Sequence, residues 1–212
     1  MSLYLEFEPT SGEVSQKNCY WGNIHSSSLS TDLLLNMQDH YDYFISHPDQ
    51  VVDRLSQIYG EFVFILPDRI YKKIRLVRDH VGVIPLYFSK IRPGRWAAST
   101  SLNTLMTRLT HLTLNKKYMA RIYNDDYSAT SETPYTEIFR CPPGHLVEIQ
   151  NDKIKYERYW TIDQLNSPIQ NLSYSTAVEL GRTIFNQTLS ARLSQNTHVG
   201  GLLSGGLDSG YI

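Results

Sequence analysis

"EFVFILPD", Glu61 to Asp68, and "IRLVRD", Ile74 to Asp79, are two short runs rich in Val, Ile, Leu and Phe. The polar tether "RIYKK" between them predicts a hairpin, because β-branched and aromatic residues suit a pleated, half-buried surface. Working outward, "VIPLYFSK" is a third such run; Pro85 cannot donate to a strand ladder, so it belongs at a strand start or on an edge. "RWAAST" begins after the breaker pair Pro93 and Gly94, and "HLVEIQNDKIKYERYW" predicts two strands around a turn at Asn151 and Asp152. On the other side, Thr31 to Phe44 and Pro48 to Ile58 are expected to be helical. In the second of these, Val51, Val52, Leu55 and Ile58 fall near helical spacing, with Pro48 in the first turn. The first two-thirds of the chain is therefore α+β, dominated by antiparallel strands.

Composition bounds what such a chain can do. With 212 residues, 41% hydrophobic and 19% charged, it is long enough for one sizeable core, or for one domain and the beginning of another. A formal charge of -1 provides no general attraction for nucleic acid or for an acidic membrane surface. Cys19 and Cys141 are far apart and unaccompanied, which suggests neither a disulfide framework nor a zinc site. No apolar stretch approaches the roughly 20 residues of a membrane span, and "MSLYLEFEPT" lacks a basic flank followed by an apolar core. The expectation is a cytoplasmic protein, with Met1-Ser2-Leu3 compatible with a cloning remnant.

The character changes near "DQLNSPIQNLS", Asp163 to Ser173, a polar stretch with Pro168 that reads as a linker. Beyond it, Val178, Ile184, Phe185, Leu189 and Leu193 lie mostly on one helical face, and Ser175 with Glu179 makes a reasonable helix start. "HVGGLLSGGLDS" then has the order of a buried parallel strand passing into a phosphate loop. Gly205 and Gly206 allow backbone N–H groups to converge on an anion, and a helix starting near Leu207 would add its positive end. Ser204 and Ser209 can donate hydroxyl hydrogen bonds to phosphate oxygens. Asp208 would be repelled by phosphate unless a cation lay between them, which points to Mg2+. The loop has no lysine and lacks Walker spacing, which disfavours an ordinary P-loop ATPase. A plain glycine turn is the bland alternative, yet five such positions arise by chance in a chain of this length with a probability of roughly a few in ten thousand.

"LLSGGLDS" resembles the pyrophosphate loop of ATP pyrophosphatase domains, specifically that of the asparagine synthetase family. "YGEFVFILPD", "RLVRDHVGVIPLYFS", "RWAASTSLNTLM" and "YTEIFRCPPGHLVEIQNDKIKYERYW" resemble, in order, that family's N-terminal glutaminase-type domain and the segment that leaves it. The likeness runs from about Gln57 to Ser209. It implies a reduced Ntn-type (N-terminal-nucleophile) amidotransferase-like antiparallel sheet sandwich over residues 1–163 and a linker over 164–174. Residues 175–212 would be the first helix, strand and loop of an α/β ATP pyrophosphatase domain, of the adenine nucleotide hydrolase-like kind. It also implies an ATP-dependent ligase that adenylates a carboxylate for amide-bond formation. Leu203, Ser204, Gly205, Gly206, Asp208 and Ser209 would bind ATP, Asp208 through Mg2+. The substrate would be a small-molecule or peptide carboxylate, with neither nucleic acid nor membrane as partner and a homodimer left open.

The sequence departs from the family at its glutaminase end. The family's nucleophile is an N-terminal cysteine, whereas position 2 here is Ser2, and a hydroxyl is a far weaker nucleophile than a thiolate near neutral pH. The family's arginine-containing and Asn-Gly-Glu pocket segments have no recognisable counterpart before Gly60; Asp39 alone fits the spacing of its glutamine-binding aspartate. No catalytic residue is therefore assigned in the front domain, and glutamine hydrolysis is expected to be absent. A shortened, cysteine-free front half with an intact loop also resembles the lasso-peptide cyclases, which close a macrolactam on a precursor peptide. A non-catalytic domain binding a peptide or partner protein, and a residual amidotransferase using Ser2, are the other readings. The Asp79-His80 pair reads as a turn or surface feature, "CPPGH" as a structural turn needing Gly144, and His25, His40, His47 and His145 show no metal spacing. With three residues after Ser209 to build a helix, the 212-residue chain by itself is expected to bind ATP weakly or not at all and to be inactive.

Overall fold

The structure is a computed structural model that describes residues 3–9, 11, 13–14, 19–25, 36–128, 131–165, 172–193 and 198–211. It divides into two compact units, Met1–Leu165 and Asn166–Ile212. In the first unit the strands are β1 (Tyr4–Glu8), β2 (Glu13–Val14), β3 (Tyr20–His25), β4 (Tyr59–Asp68), β5 (Lys73–Arg78), β6 (Tyr87–Arg92), β7 (Arg95–Ser99), β8 (Ile138–Arg140), β9 (His145–Gln150) and β10 (Lys153–Arg158). Its helices are α1 (Met37–Ser46), α2 (Val51–Leu55), α3 (Leu102–Met106) and α4 (Lys116–Tyr123). All pairings between these strands are antiparallel, in two five-stranded sheets ordered β2-β1-β7-β6-β8 and β10-β9-β5-β4-β3.

The stretch "EFVFILPD" explains the layering. Val63 and Ile65 point into the space between the sheets, against Leu5, Phe7, Leu86, Phe88 and Trp96 of the other sheet. Their neighbours Phe62, Phe64 and Leu66 point the opposite way, against Met37, Phe44, Val51, Leu55 and Ile58 from the helical region. A strand buried on both faces must read as a continuous apolar run, and this one does. A smaller cluster of Ala97, Leu105 and Ile138 covers the outer face of the first sheet beneath α3. The order is helix, sheet, sheet, helix, an α+β sandwich with one core between the sheets and one on either side.

Local chemistry sets the element ends. Asn36 caps α1 by accepting the Asp39 amide at 3.0 Å. The expected helix over Thr31 to Phe44 thus begins at Met37, and residues 31–35 lie outside the described residues. The second expected helix is a 3-10 turn, Pro48–Gln50, followed by the short α2. Ile58 lies beyond it, because the chain must already straighten into β4 at Tyr59. Pro85 precedes β6, as a residue without an N–H should. Asn151 and Asp152 both have positive φ, +48° and +62°, the geometry that matches hairpin twist between β9 and β10. Asp152 then accepts from Lys90 Nζ at 2.7 Å and Trp96 Nε1 at 3.1 Å, tying that hairpin to the opposite sheet.

The second unit contains α5 (Tyr174–Leu193) and α6 (Leu207–Tyr211). Ser173, not Ser175, caps α5, its hydroxyl accepting from the Thr176 amide at 3.2 Å. One expectation is corrected here. Residues 198–204 form no strand, and Leu202 and Leu203 are exposed rather than buried. A strand needs a ladder partner for its N–H and C=O groups, and the described residues of this unit include no other strand. The expected linker at 164–174 includes residues 166–171, which lie outside the described residues.

Two-sided burial makes β4 the most sensitive strand. Replacing Phe64 with Ala, which removes its edge-on contact with Phe44 at 5.2 Å, is expected to cost about 3–5 kcal/mol in denaturant unfolding. Tyr59→Ala, at an exposed position of the same strand, should change stability by no more than about 0.5 kcal/mol.

Candidate functional site

The loop from Leu203 to Ser209 is the candidate site that chemistry picks out. Gly205 adopts φ +79°, a left-handed angle open to glycine, and a Cβ there would meet nothing within 4 Å. The Ser204 and Ser209 hydroxyls lie 2.9 Å apart, and Ser204 Oγ also receives the Gly206 amide at 3.4 Å. Ser209 Oγ donates to the Gly206 carbonyl at 3.2 Å, while the Gly210 amide returns to that same carbonyl at 3.1 Å as the first turn of α6 forms. The sequence-predicted residues thus form one tight turn with two hydroxyls converging over a bare glycine backbone. Leu203 and Asp208 are exposed on it. The residue types suit a phosphate, with one exposed carboxylate beside them for a cation, but both hydroxyls and the Gly206 amide are bonded within the turn and would turn to an anion by exchanging those bonds. Among the described residues no cluster of His, Cys, Asp and Glu could hold a metal through protein ligands alone.

The two-sheet unit offers no activated thiol. Cys19 and Cys141 are both fully buried. Burial pushes the Cys19 thiol up, with its Tyr41 hydrogen bond opposing only in part. Cys141 is pushed up strongly by burial, its Sγ surrounded by the carbonyls of Leu76, Pro142 and His145 at 3.6–3.8 Å. Thiols held protonated in an apolar core are inert. Asp39 sits in the first turn of α1 on the protein surface, with its amide given to Asn36. Ser2 lies outside the described residues.

What sequence reasoning missed is the turn after β5. Asp79 was expected in a turn or at the surface; it is in a turn and completely buried. Its Oδ1 accepts the Gly82 and Val83 amides at 2.6 and 3.0 Å, and Oδ2 accepts the Ile84 amide at 3.1 Å. Buried Arg78 donates outward to the carbonyls of Ile84 (2.6 Å), Gly82 (2.6 Å) and Cys141 (2.9 Å). Desolvation lowers the pKa of that guanidinium, with Asp79 among the groups that oppose the shift. His80 is likewise half-buried, packed against Phe62, Tyr159 and Trp160. Gly82 and Gly144 are required at this turn. Their φ angles are +73° and +64°, and a Cβ would come within 2.7 Å of Pro143 and 2.8 Å of the Trp160 carbonyl, respectively. The sequence signal available was the run Arg-Asp-x-x-Gly directly after a strand, an acid placed to accept the amides of the turn it opens.

A family of glutamine amidotransferase domains matches residues 47–160, more than half of the chain and the whole of this turn. The chain belongs to that family. Its relatives extend the likeness. It is 25% identical to the glutamine-hydrolysing asparagine synthetase of Homo sapiens over 92% of its own length and 35% of that protein. It is 25% identical to asparagine synthetase 3 of Bacillus subtilis over 90% and 29%, and 23% identical to amidase chry2 of Gibberella zeae over 74% and 23%. The chain therefore spans about a quarter to a third of the length of these curated relatives. In this amidotransferase domain no helix among the described residues is long and apolar enough to cross a membrane.

Two outcomes check this description. Asp79→Ala should cost about 3–5 kcal/mol in denaturant unfolding, because three amides and a buried guanidinium lose their counterpart. Neither cysteine of the folded chain should react with iodoacetamide at pH 8, and both should react once it is unfolded.

Proposed function

We propose that the chain is the front part of an asparagine synthetase-like ATP-dependent ligase, in which a carboxylate is adenylated for amide-bond formation without glutamine hydrolysis by this domain. The reading rests on the convergent Ser204 and Ser209 hydroxyls over Gly205 and Gly206, carried by an amidotransferase domain whose relatives include asparagine synthetases. A carboxylate is a poor electrophile until one of its oxygens becomes part of a leaving group. The chemistry that such a loop supplies is a set of fixed donors for the charge that collects on the departing pyrophosphate. Ser204, Ser209 and the Gly206 amide would be the donors once they exchange their bonds within the turn for the phosphate, the exposed Leu203 backbone would contact the nucleotide, and Asp208 would hold Mg2+ against the phosphates. The buried cysteines support the second half of the reading, since neither thiol can attack a glutamine amide from the core.

The test uses the chain continued through its complete synthetase domain. Carboxylate-dependent ATP–pyrophosphate exchange is expected, and Asp208→Ala should lower it at least about 100-fold, as removal of a group that stabilises transition-state charge does. Glutamate release from glutamine should stay at background. Unimpaired exchange in Asp208→Ala would remove Asp208 from the metal role, and glutamate release would overturn the non-hydrolytic reading. A precursor peptide serving as both carboxylate and amine would narrow the ligase to a macrolactam cyclase.

A further inference from the structure

Five segments of the amidotransferase domain meet around one imidazole. His80 Nε2 lies 3.1 Å from the Leu55 carbonyl at the end of α2; a carbonyl only accepts, so the proton of the neutral ring sits on Nε2. The ring meets Trp160 at 5.2 Å, Tyr159 at 5.5 Å and Phe62 of β4 at 5.8 Å, each edge to face. Behind it, the Gly144 amide donates to the Asp79 carbonyl at 2.8 Å. The Gly144 carbonyl accepts both the Tyr159 amide at 2.9 Å and the Trp160 amide at 3.2 Å. Tyr159 and Trp160 are the residues by which the chain leaves β10, and their two amides share that single acceptor.

We propose that His80 is an acid-sensitive latch: neutral, it clamps the exit at Tyr159 and Trp160 to α2 and the turn after β5; protonated, it releases that exit while both sheets stay folded. The groups facing the ring provide little for a cation. From its own turn comes Asp79, whose carboxylate is committed to three amides, and from α2 the Leu55 carbonyl, already bonded. β4 brings the apolar Phe62, and the exit brings the Tyr159 phenol, whose O–H is given to the Arg78 carbonyl at 2.7 Å. The Arg78 guanidinium is turned to the carbonyls of Gly82, Ile84 and Cys141. Burial holds the imidazole below the ordinary histidine range, and the Leu55 bond and the Asp79 charge offset this only in part.

The linkage has a definite sign. The unfolded or opened histidine titrates near 6.5 and the latched one below it, so the latch is fully effective above about pH 6.5 and weakens as pH falls towards the folded value. Opening is local because the exit is held by one shared carbonyl, one phenol, this ring and packing of Tyr159 and Trp160 at the helix-side core alone, whereas β4 is held by both cores.

Residue-resolved hydrogen exchange of the full chain between pH 7.5 and 5, corrected for intrinsic rates, tests the latch. Protection of the Tyr159 and Trp160 amides is expected to fall with pH, no more steeply than about tenfold per unit, the limit for uptake of one proton. Amides of β4 should keep their protection over the same range. His80→Gln should remove the pH dependence at the exit. In the wild-type chain, the His80 ring resonance should titrate below about 6.5, and loss of exit protection should begin near 6.5 and level off near that ring midpoint, a comparison that needs no variant to fold. A pH-independent exit, an exit that opens only together with β4, an unchanged profile in His80→Gln, or a ring midpoint at or above about 6.5 would each overturn the proposal.

Discussion

The amidotransferase sandwich depends on two charges that have no water to turn to. Arg78 and Asp79 lie side by side at the end of β5, and the chain folds its next residues around them. The carboxylate gathers the amides of Gly82, Val83 and Ile84, while the guanidinium takes the carbonyls of Gly82, Ile84 and Cys141. Buried charges persist where hydrogen bonds compensate them, and backbone groups supply three bonds to each here, all but the one from the Cys141 carbonyl within one short turn. The consequence reaches both sheets. The turn carries the chain from β5 in one sheet to β6 in the other, and the Cys141 carbonyl brings in the segment between β8 and β9.

Much of this fold was legible because the sheet core imposes strict patterns. Glu61 to Asp68 reads as a strand from its residue types, and the same unbroken apolar run reports burial on both faces. Asn151 and Asp152 read as a turn because both tolerate positive φ, and Pro93 and Gly94 mark the turn before β7. Layer order was not legible. Phe62 and Val63 are equally apolar, and only the packed structure shows that one faces the helices and the other the opposing sheet. The strand expected at residues 198–204 illustrates the converse: an apolar run describes what a segment can become, while a ladder exists only where a neighbouring strand supplies the other half of its hydrogen bonds.

The candidate loop was legible for a different reason. Two adjacent glycines between serines, followed by an acid, restrict both backbone and chemistry, and the turn at Ser204 to Ser209 brings the two hydroxyls within 2.9 Å. His80, by contrast, carries no local signal. A histidine after an aspartate looks like a surface turn, and its surroundings come from Leu55, Phe62, Tyr159 and Trp160, distributed over more than a hundred positions of sequence. Long-range assembly of that kind is invisible to any pattern with a short period.

These two kinds of residue also separate scaffold from chemistry. The groups that hold the sandwich together, Arg78, Asp79, Gly82, Gly144 and Tyr159, are occupied with backbone atoms of this same domain or shaped by close contact with them. Each would be needed whether or not the domain hydrolysed glutamine, because an uncompensated charge or a clashing Cβ at this turn destabilises the fold itself. A nucleophile has the opposite requirement: it must be exposed enough to ionise and reach a substrate, so its replacement leaves the core bonds intact. Cys19 and Cys141 obey the scaffold's rule, buried and protonated, each anchoring backbone through its own carbonyl, to the Ile65 amide and to Arg78. The turn and the sheets are explained by the needs of folding, and the sandwich by itself is therefore no evidence for or against glutaminase chemistry.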